Sequence, residues 1–341
     1  MQLPNFFQSF ISNVLIGVDI GNFSVKVVQI KQKRFPKEQL LSFGIREIKP
    51  EKSDGAITQA IKEACGDAKI ESNKVNLSVC GPEIIVRYIT LPQLEPDELA
   101  YCMEFELERY IPCKKKDDMV IDYKILYRLP SGQMRVILVA VEHQKIEERI
   151  SFIKDAGLIP GIINIDSLAL MDAFRAIGAH TKDRKVVAIL DIGYSVSKLI
   201  VLQDNVPYFS RDIEKGIYDL VRIAADRANI DYSFVNELES KYPEKSEALC
   251  AAIKAKLNDL VDELHLSFEY CWRHLQKEVE HLYLTGGGAK LKIIKDVLAA
   301  NLSLRTDILD VTGKFKIPSH IKQEDLKECG SLLTVAIGLV S

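Results

Sequence analysis

Asp19, Gly21 and Lys26 stand at the same mutual spacing as Asp191, Gly193 and Lys198, an offset of 172 residues. The surrounding segments, VLIGVDIGNFSVKVVQI at 14–30 and VVAILDIGYSVSKLIVL at 186–202, also share Val14 with Val186 and Ile20 with Ile192. Each is a β-branched run, an Asp-Ile-Gly, a few small or polar residues and a second apolar run, which is the pattern of a β-hairpin. Asn22 and Ser24 supply the polar turn positions in the first copy and Ser195 in the second. Glycine after a strand admits a backbone conformation that crowds out a β-carbon, so successive N–H groups can turn toward a phosphate. A carboxylate at the strand end is repelled by a bare phosphate. Asp19 and Asp191 would therefore act through water on a hydrated Mg²⁺, which bridges carboxylate to phosphate oxygens. Lys26 returns on the second strand as a point charge for the phosphates. One such turn occurs in any hairpin, whereas two copies half a chain apart are a much stronger signal.

A third element, VEHLYLTGGGAKLKIIKDVL at 279–298, reads as strand, turn and helix. Gly286, Gly287 and Gly288 permit close approach of a ligand, and the following helix N-terminus favours phosphate. Neither GxGxxG nor the Walker GxxxxGK[ST] is present, so neither a dinucleotide fold nor a P-loop is supported. In this order and spacing the three elements resemble the actin-like ATPase superfamily. The resemblance implies an α/β fold of duplicated ribonuclease H-like lobes that clamp ATP and Mg between two phosphate hairpins and an adenosine loop. It places Asp166 near an attacking water, although Asp166 also reads as a helix N-cap ahead of Ser167-Leu168-Ala169-Leu170. It further implies nucleotide contacts at Gly216, Glu263 and Ser267. Three departures from the pattern, Asn22-Phe23 for small serines, Lys215-Gly216 for paired glycines and Leu266 for a basic residue, imply a weakened hold on ATP and at most weak turnover.

Between the hairpins the sequence predicts strands at 75–80 and 84–90, a helix at about 96–110, strands near 119–127 and 135–141, and a helix at about 143–156. Pro96, Asp97 and Glu98 favour the first helix start and Pro112 ends it. Met103, Leu107, Tyr110 and Ile111 read as core, and Glu104, Glu106 and Glu108 as a solvated face. Lys114, Lys115 and Lys116 run straight into Asp117 and Asp118, which reads as a solvated loop. The stretch LPQLEPDELAYCMEFELERYIP closely resembles the type IV pilus assembly protein PilM family. That resemblance implies an inserted strand-helix-strand-strand subdomain whose groove receives the cytoplasmic N-terminal peptide of an inner-membrane PilN-type protein, with other pilus assembly proteins as further partners. It also implies a site of action at the cytoplasmic face of the inner membrane, with membrane association through the partner.

The elements that must position these residues are bounded by composition. The chain has 341 residues, a net charge of −3 and 47% hydrophobic residues, which excludes disordered and fibrous classes and leaves room for two domains. Near-neutrality gives no electrostatic argument for nucleic acid. Seven cysteines without a CxxC pair read as reduced thiols of a cytosolic protein. His274 and His281, on roughly one helical face, read as structural rather than metal-binding. The uncharged N-terminal segment lacks the basic region of a secretory signal, and its Leu3, Phe6, Phe7, Phe10 and Ile11 read as an amphipathic stretch covering a groove of the same chain. No run is long and apolar enough for a transmembrane helix. The expected organisation is a first lobe from 1–74, the docking insert at 75–145, completion of the first lobe with a connecting helix at 146–180, a second lobe at 181–318 and a C-terminal helix at 319–341 returning to the first lobe. Two alternatives use the same fold. An FtsA-like division protein needs a basic amphipathic terminal helix, whereas this chain ends CGSLLTVAIGLVS. A small-molecule kinase needs a carboxylate base beside a polar pocket, for which only Asp166 is a candidate.

Overall fold

In the computed structural model, which describes residues 14–32, 38–49, 51, 53–81, 83–110, 118–178, 186–220 and 246–341, the β-branched runs form strands as expected. Val14–Ile20 (β1) and Ser24–Lys31 (β2) make an antiparallel hairpin that Gln39–Glu47 (β3) extends. Lys74–Val79 (β4) and Ile159–Ile165 (β8) add in parallel on the far side of β1, giving the order β3-β2-β1-β4-β8. Val186–Ile192 (β9), Ser197–Gln203 (β10), Val206–Ile213 (β11), Val279–Thr285 (β12) and Arg305–Ile308 (β13) repeat the plan as β11-β10-β9-β12-β13. The duplicated, actin-like α/β architecture follows from this repeat. The N-terminal segment and the 114–116 lysine run lie outside the described residues.

Strand residues alternate between two cores because successive side chains point to opposite faces. Val25 and Val27 face outward, where Asp54–Ala68 (α1) and His143–Asp155 (α3) cover the first sheet. Val28 and Ile30 face inward, and so do Val187 and Ile189 of the second sheet. Between the two inner faces lie Asp166–Ala176 (α4) and Thr334–Gly338 (α8), which bring Leu170, Phe174, Val335 and Ile337 into a core shared by both lobes. Ser246–Leu275 (α5) and Lys292–Leu302 (α6) cover the outer face of the second sheet.

The insert is a separate three-stranded sheet, β5-β7-β6, made of Ile85–Pro92 (β5), Met119–Arg128 (β6) and Gln133–Glu142 (β7). Pro96–Tyr110 (α2) packs on it through Leu99, Met103 and Leu107, one per turn. Burial of each such side chain is worth about 1.5–3 kcal/mol. The side chains of Glu104, Glu106, Glu108 and Tyr110, and all of Ile111, lie outside what is described.

Three expectations are corrected. The strand at 74–79 belongs to the first lobe, because Val75 and Leu77 face its core and pair between β1 and β8, so the insert begins at Ile85 rather than 75. The C-terminal segment is not one helix but Gln323–Cys329 (α7), a tight turn over Gly330–Leu333, and α8. His274 ends α5 while His281 lies on β12 beside Asp307, so the two share no helical face. Among the described residues no helix is long and apolar enough to cross a membrane, and Cys65, Cys80, Cys102, Cys271 and Cys329 are free thiols.

Two glycines allow α8 to enter the seam. A Cβ on Gly338 would overlap the backbone of Ala169 in α4, and one on Gly17 of β1 would overlap the carbonyl of Ala336. Gly338→Val should therefore destabilise the protein by at least about 1–3 kcal/mol, the usual range for overpacking, seen as a lower midpoint in urea. Gly66→Ala, in α1 with nothing within 4 Å of the added carbon, should raise stability by about 0.5–1 kcal/mol.

Candidate functional site

Asp19 pairs in register with Lys26 across the first hairpin, and Asp191 with Lys198 across the second. The two lobes use this shared register differently. Lys26 Nζ is 3.1 Å from Asp19 Oδ2, whereas Lys198 Nζ reaches 3.0 Å from Asp166 Oδ2 on α4. Asp166 is the first residue of α4, one past the cap position held by Ile165, so the N-cap reading gives way to an ion pair with the other lobe. Its Oδ1 is buried without a hydrogen-bond partner.

Both hairpin turns close in the same way. Gly21 N–H donates to Ser24 O at 3.1 Å, and Gly193 N–H donates to Val196 O at 3.1 Å. These two glycine amides are thus used inside the turns, so a phosphate must be met by groups further round each loop. Gly286, at φ 79°, lies so close to Asp191 that a Cβ would overlap its Oδ1. Gly286 N–H donates to Ser331 O at 3.0 Å, tying the glycine loop to the C-terminal turn.

These elements wall a cleft of about 340 Å³. Asp19, Gly21, Asn22, Ser24, Lys26, Asp166, Asp191, Gly193, Ser195, Gly286 and Gly287 all line it, so most of the residues singled out in the sequence converge. Gly288 does not; it packs against Ile192, where a Cβ would collide. Gly216 lies behind the second turn against Tyr194 and Ser195, whose segment receives Ile217 N–H at Gly193 O and Tyr218 N–H at Tyr194 O. Glu263 and Ser267 are outside the lining, because Arg211 of β11 engages them. Arg211 Nη2 is 2.6 Å from Glu263 Oε2, and Nη1 is 3.4 Å from Ser267 Oγ. Arg211 thus stands beside Glu263 while Leu266 is 60% exposed.

Several lining residues carry no signal in the sequence pattern. Phe23 and Tyr194 stack across the two hairpin tips, with centroids 4.9 Å apart and planes at 18°. Glu83, Lys145, Arg149 and Asp212 also line the cleft. Of these, Asp212 is the one that strand register could have found, since β11 pairs it with Lys198. Arg149 carries no motif.

Burial dominates the electrostatics. It raises the pKa of Asp19, with Lys26 opposing, and raises that of Asp191, with Lys198 opposing. Burial also works against charged Lys198, but Asp166 and Asp191 outweigh it and hold its pKa well above the ordinary value. Among the described residues no three His, Cys, Asp or Glu side chains are arranged to hold a metal directly.

The chain matches the family model described as type IV pilus assembly protein PilM over residues 17–340. Among solved structures it is similar to a PilM-PilN type IV pilus biogenesis complex, with a TM-score of 0.83 and 24% identity over 96% of this chain and 97% of that one. Ethanolamine utilization protein EutJ from Carboxydothermus hydrogenoformans follows at 0.55 and 12%, covering 96% of this chain and 89% of that one. Component A of (R)-2-hydroxyglutaryl-CoA dehydratase from Acidaminococcus fermentans gives 0.51 and 10%, covering 96% of this chain and 96% of that one. These structural likenesses speak to the fold. No curated protein matches the chain.

Asp212 offers a measurable consequence of the buried charge. Burial, opposed by Lys198 and reinforced by Asp166, Asp191 and Glu83, lifts its pKa from 3.8 to about 6. The folded state then keeps this proton to higher pH than the unfolded chain does, so its contribution to stability is lost as pH rises through about 6. Asp212→Asn should flatten the fall in unfolding free energy across that interval and raise stability at neutral pH, as read by urea titrations at several pH values.

Proposed function

The chain belongs to the type IV pilus assembly protein PilM family, and from that membership we propose that it is an ATP-binding, actin-like scaffold that docks the cytoplasmic N-terminal peptide of an inner-membrane PilN-type protein. It would work at the cytoplasmic face of the membrane, held there by its partner. The observation that carries the nucleotide reading is the facing pair of hairpins, Asp19–Lys26 and Asp191–Lys198, with Gly286 closing the third wall of one cleft.

The residues fit a magnesium-bound polyphosphate better than a bare one. Four cationic side chains and five carboxylates line the cleft, so it is net negative by one charge before any ligand enters. A bare triphosphate would be repelled, whereas a divalent cation reverses that balance. Three buried polar atoms without partners, Glu83 Oε2, Arg149 Nε and Asp166 Oδ1, belong to lining residues. Such atoms are costly in a closed protein and point to groups that a ligand or its waters satisfy. Asp19 and Asp191 would hold Mg²⁺ through water, and the ion would supply charge neutralisation at the phosphates. Lys26 and Ser24 orient the phosphates from the first lobe and Ser195 from the second. Asp166, held by Lys198, offers its second oxygen to a water. With Glu263 and Ser267 engaged by Arg211, binding of the base rests on other groups and turnover is at most weak.

Docking is supported by the insert's position between the lobes. Tyr88 Oη of β5 donates to Ser210 Oγ of β11 at 3.1 Å, and Arg135 of β7 lies 5.0 Å over the Tyr208 ring. Movement of the second lobe against the first is thereby felt at the insert. Closure around nucleotide and occupancy of the insert by peptide then become two states of one equilibrium, with equal coupling in both directions. Family membership makes the peptide the natural occupant, and the structural likeness to a PilM-PilN complex supports it.

A fluorescent PilN-type N-terminal peptide should bind the wild-type protein with an affinity that changes about 5–150-fold when Mg-ATP is added, the usual span of allosteric coupling. Asp19→Ala should keep peptide binding and lose the nucleotide effect. Equal peptide affinity with and without nucleotide in a wild type that binds Mg-ATP would discard the coupling, and absence of peptide binding would discard the docking.

A further inference from the structure

The cleft's cations are not equally neutralised. Lys26 lies 3.1 Å from Asp19, Lys198 3.0 Å from Asp166, and Lys145 3.0 Å from Glu148 and 3.5 Å from Glu83. Arg149, only 7% exposed, is different. Its Nη1 donates to the carbonyl of Ile20 at 3.0 Å, its Nη2 donates to Cys80 Sγ at 3.4 Å, and its Nε has no partner. Among the described residues no carboxylate forms an ion pair with it.

The neighbouring thiol does not supply the missing charge. Burial first, then Asp166, pushes Cys80 up to about 11, so it stays neutral at physiological pH. A guanidinium remains charged in any protein environment and cannot escape burial by losing its proton. A buried cation without a counter-ion is strongly unfavourable, because desolvation is not offset by a partner charge. Position gives the reason to keep it. Ile20 immediately precedes Gly21, so the guanidinium is fixed at the root of the first hairpin turn, on the cleft wall.

Resting on the nucleotide reading above, we propose that Arg149 is a phosphate-binding residue of the cleft, with the polyphosphate of a nucleoside di- or triphosphate as its counter-ion. The two lysines of the hairpins come already paired with carboxylates, so Arg149 is the group whose charge is available to the ligand. Its planar fork of donors keeps Ile20 and Cys80 while the remaining N–H groups face the phosphates. Because β7 runs directly into α3, the same helix that carries Arg149 also anchors the insert.

The test is calorimetric titration of wild type, Arg149→Met and Arg149→Lys with the magnesium complexes of ATP and ADP and with AMP, alongside thermal unfolding without nucleotide. Arg149→Met should lose at least tenfold in ATP affinity and threefold or less for AMP, while unfolding at the same or a higher temperature because an uncompensated buried charge is gone. Arg149→Lys should recover part of the ATP affinity. A Met variant that keeps the wild-type ratio of ATP to AMP affinity, or that only loses thermal stability, overturns the proposal and leaves the nucleotide reading intact. A wild type that binds none of the three overturns both.

Discussion

Close backbone packing of the C-terminal helix in the seam between the two sheets governs the geometry of the molecule. Gly17 and Gly338 remove the two β-carbons that would hold α8 away from β1 and α4. Asn76 adds a polar tie by donating to Leu339 O and accepting from Ile162 N–H, so one side chain of β4 is bonded to both the last turn of the chain and β8. With α4 and α8 serving both inner faces, the lobes share one core rather than touching at a solvated interface. That shared core decides how far apart the two hairpin tips stand. Phe23 and Tyr194 then stack across the gap, a contact whose offset-stacked geometry adds to its burial.

The seam that joins the lobes also concentrates charge where water is scarce. Asp19, Asp166 and Asp191 are each less than 10% exposed. Burial there works against the charge of Asp19 and Asp191, and Lys26 and Lys198 oppose that effect. The internal symmetry is broken at this point. Lys198 leaves its register partner Asp191 for Asp166 across the lobe boundary, while Lys26 stays with Asp19. One ion pair therefore belongs to a hairpin and the other to the junction. Any ligand that draws Lys198 toward phosphate also acts on α4, which lies in the shared core.

The insert is placed to feel such a change. Its entry follows the Gly81–Ile84 turn and its exit is the start of α3, and Lys145 of α3 pairs with Glu83 of that turn beside the cleft. The roots of the insert are thus cleft walls. Its sheet meets the second lobe through Tyr88 and Arg135. A module attached to one lobe and leaning on the other is placed to follow their relative position.

Much of this architecture is legible in the amino-acid sequence. The 172-residue repeat determines that two hairpins of like register exist, because alternating burial and the turn requirement are local properties that a short segment carries by itself. The glycine triplet and the bounds of α2 are legible for the same reason. The strand at 74–79 reads as part of the insert yet belongs to the first lobe, since an apolar run looks alike in either sheet. The family resemblance implies nucleotide contacts at Glu263 and Ser267, and the structure adds Arg211 on a neighbouring strand beside both, because side-chain partners from distant segments leave no trace in spacing. Arg149 shows the same limit from the other side. By itself the sequence determined the elements and the residue types able to handle phosphate. Only the tertiary structure decided which cations are already neutralised and which remains available, because ion pairing and desolvation depend on distances between segments more than a hundred residues apart, such as Arg149 and Ile20.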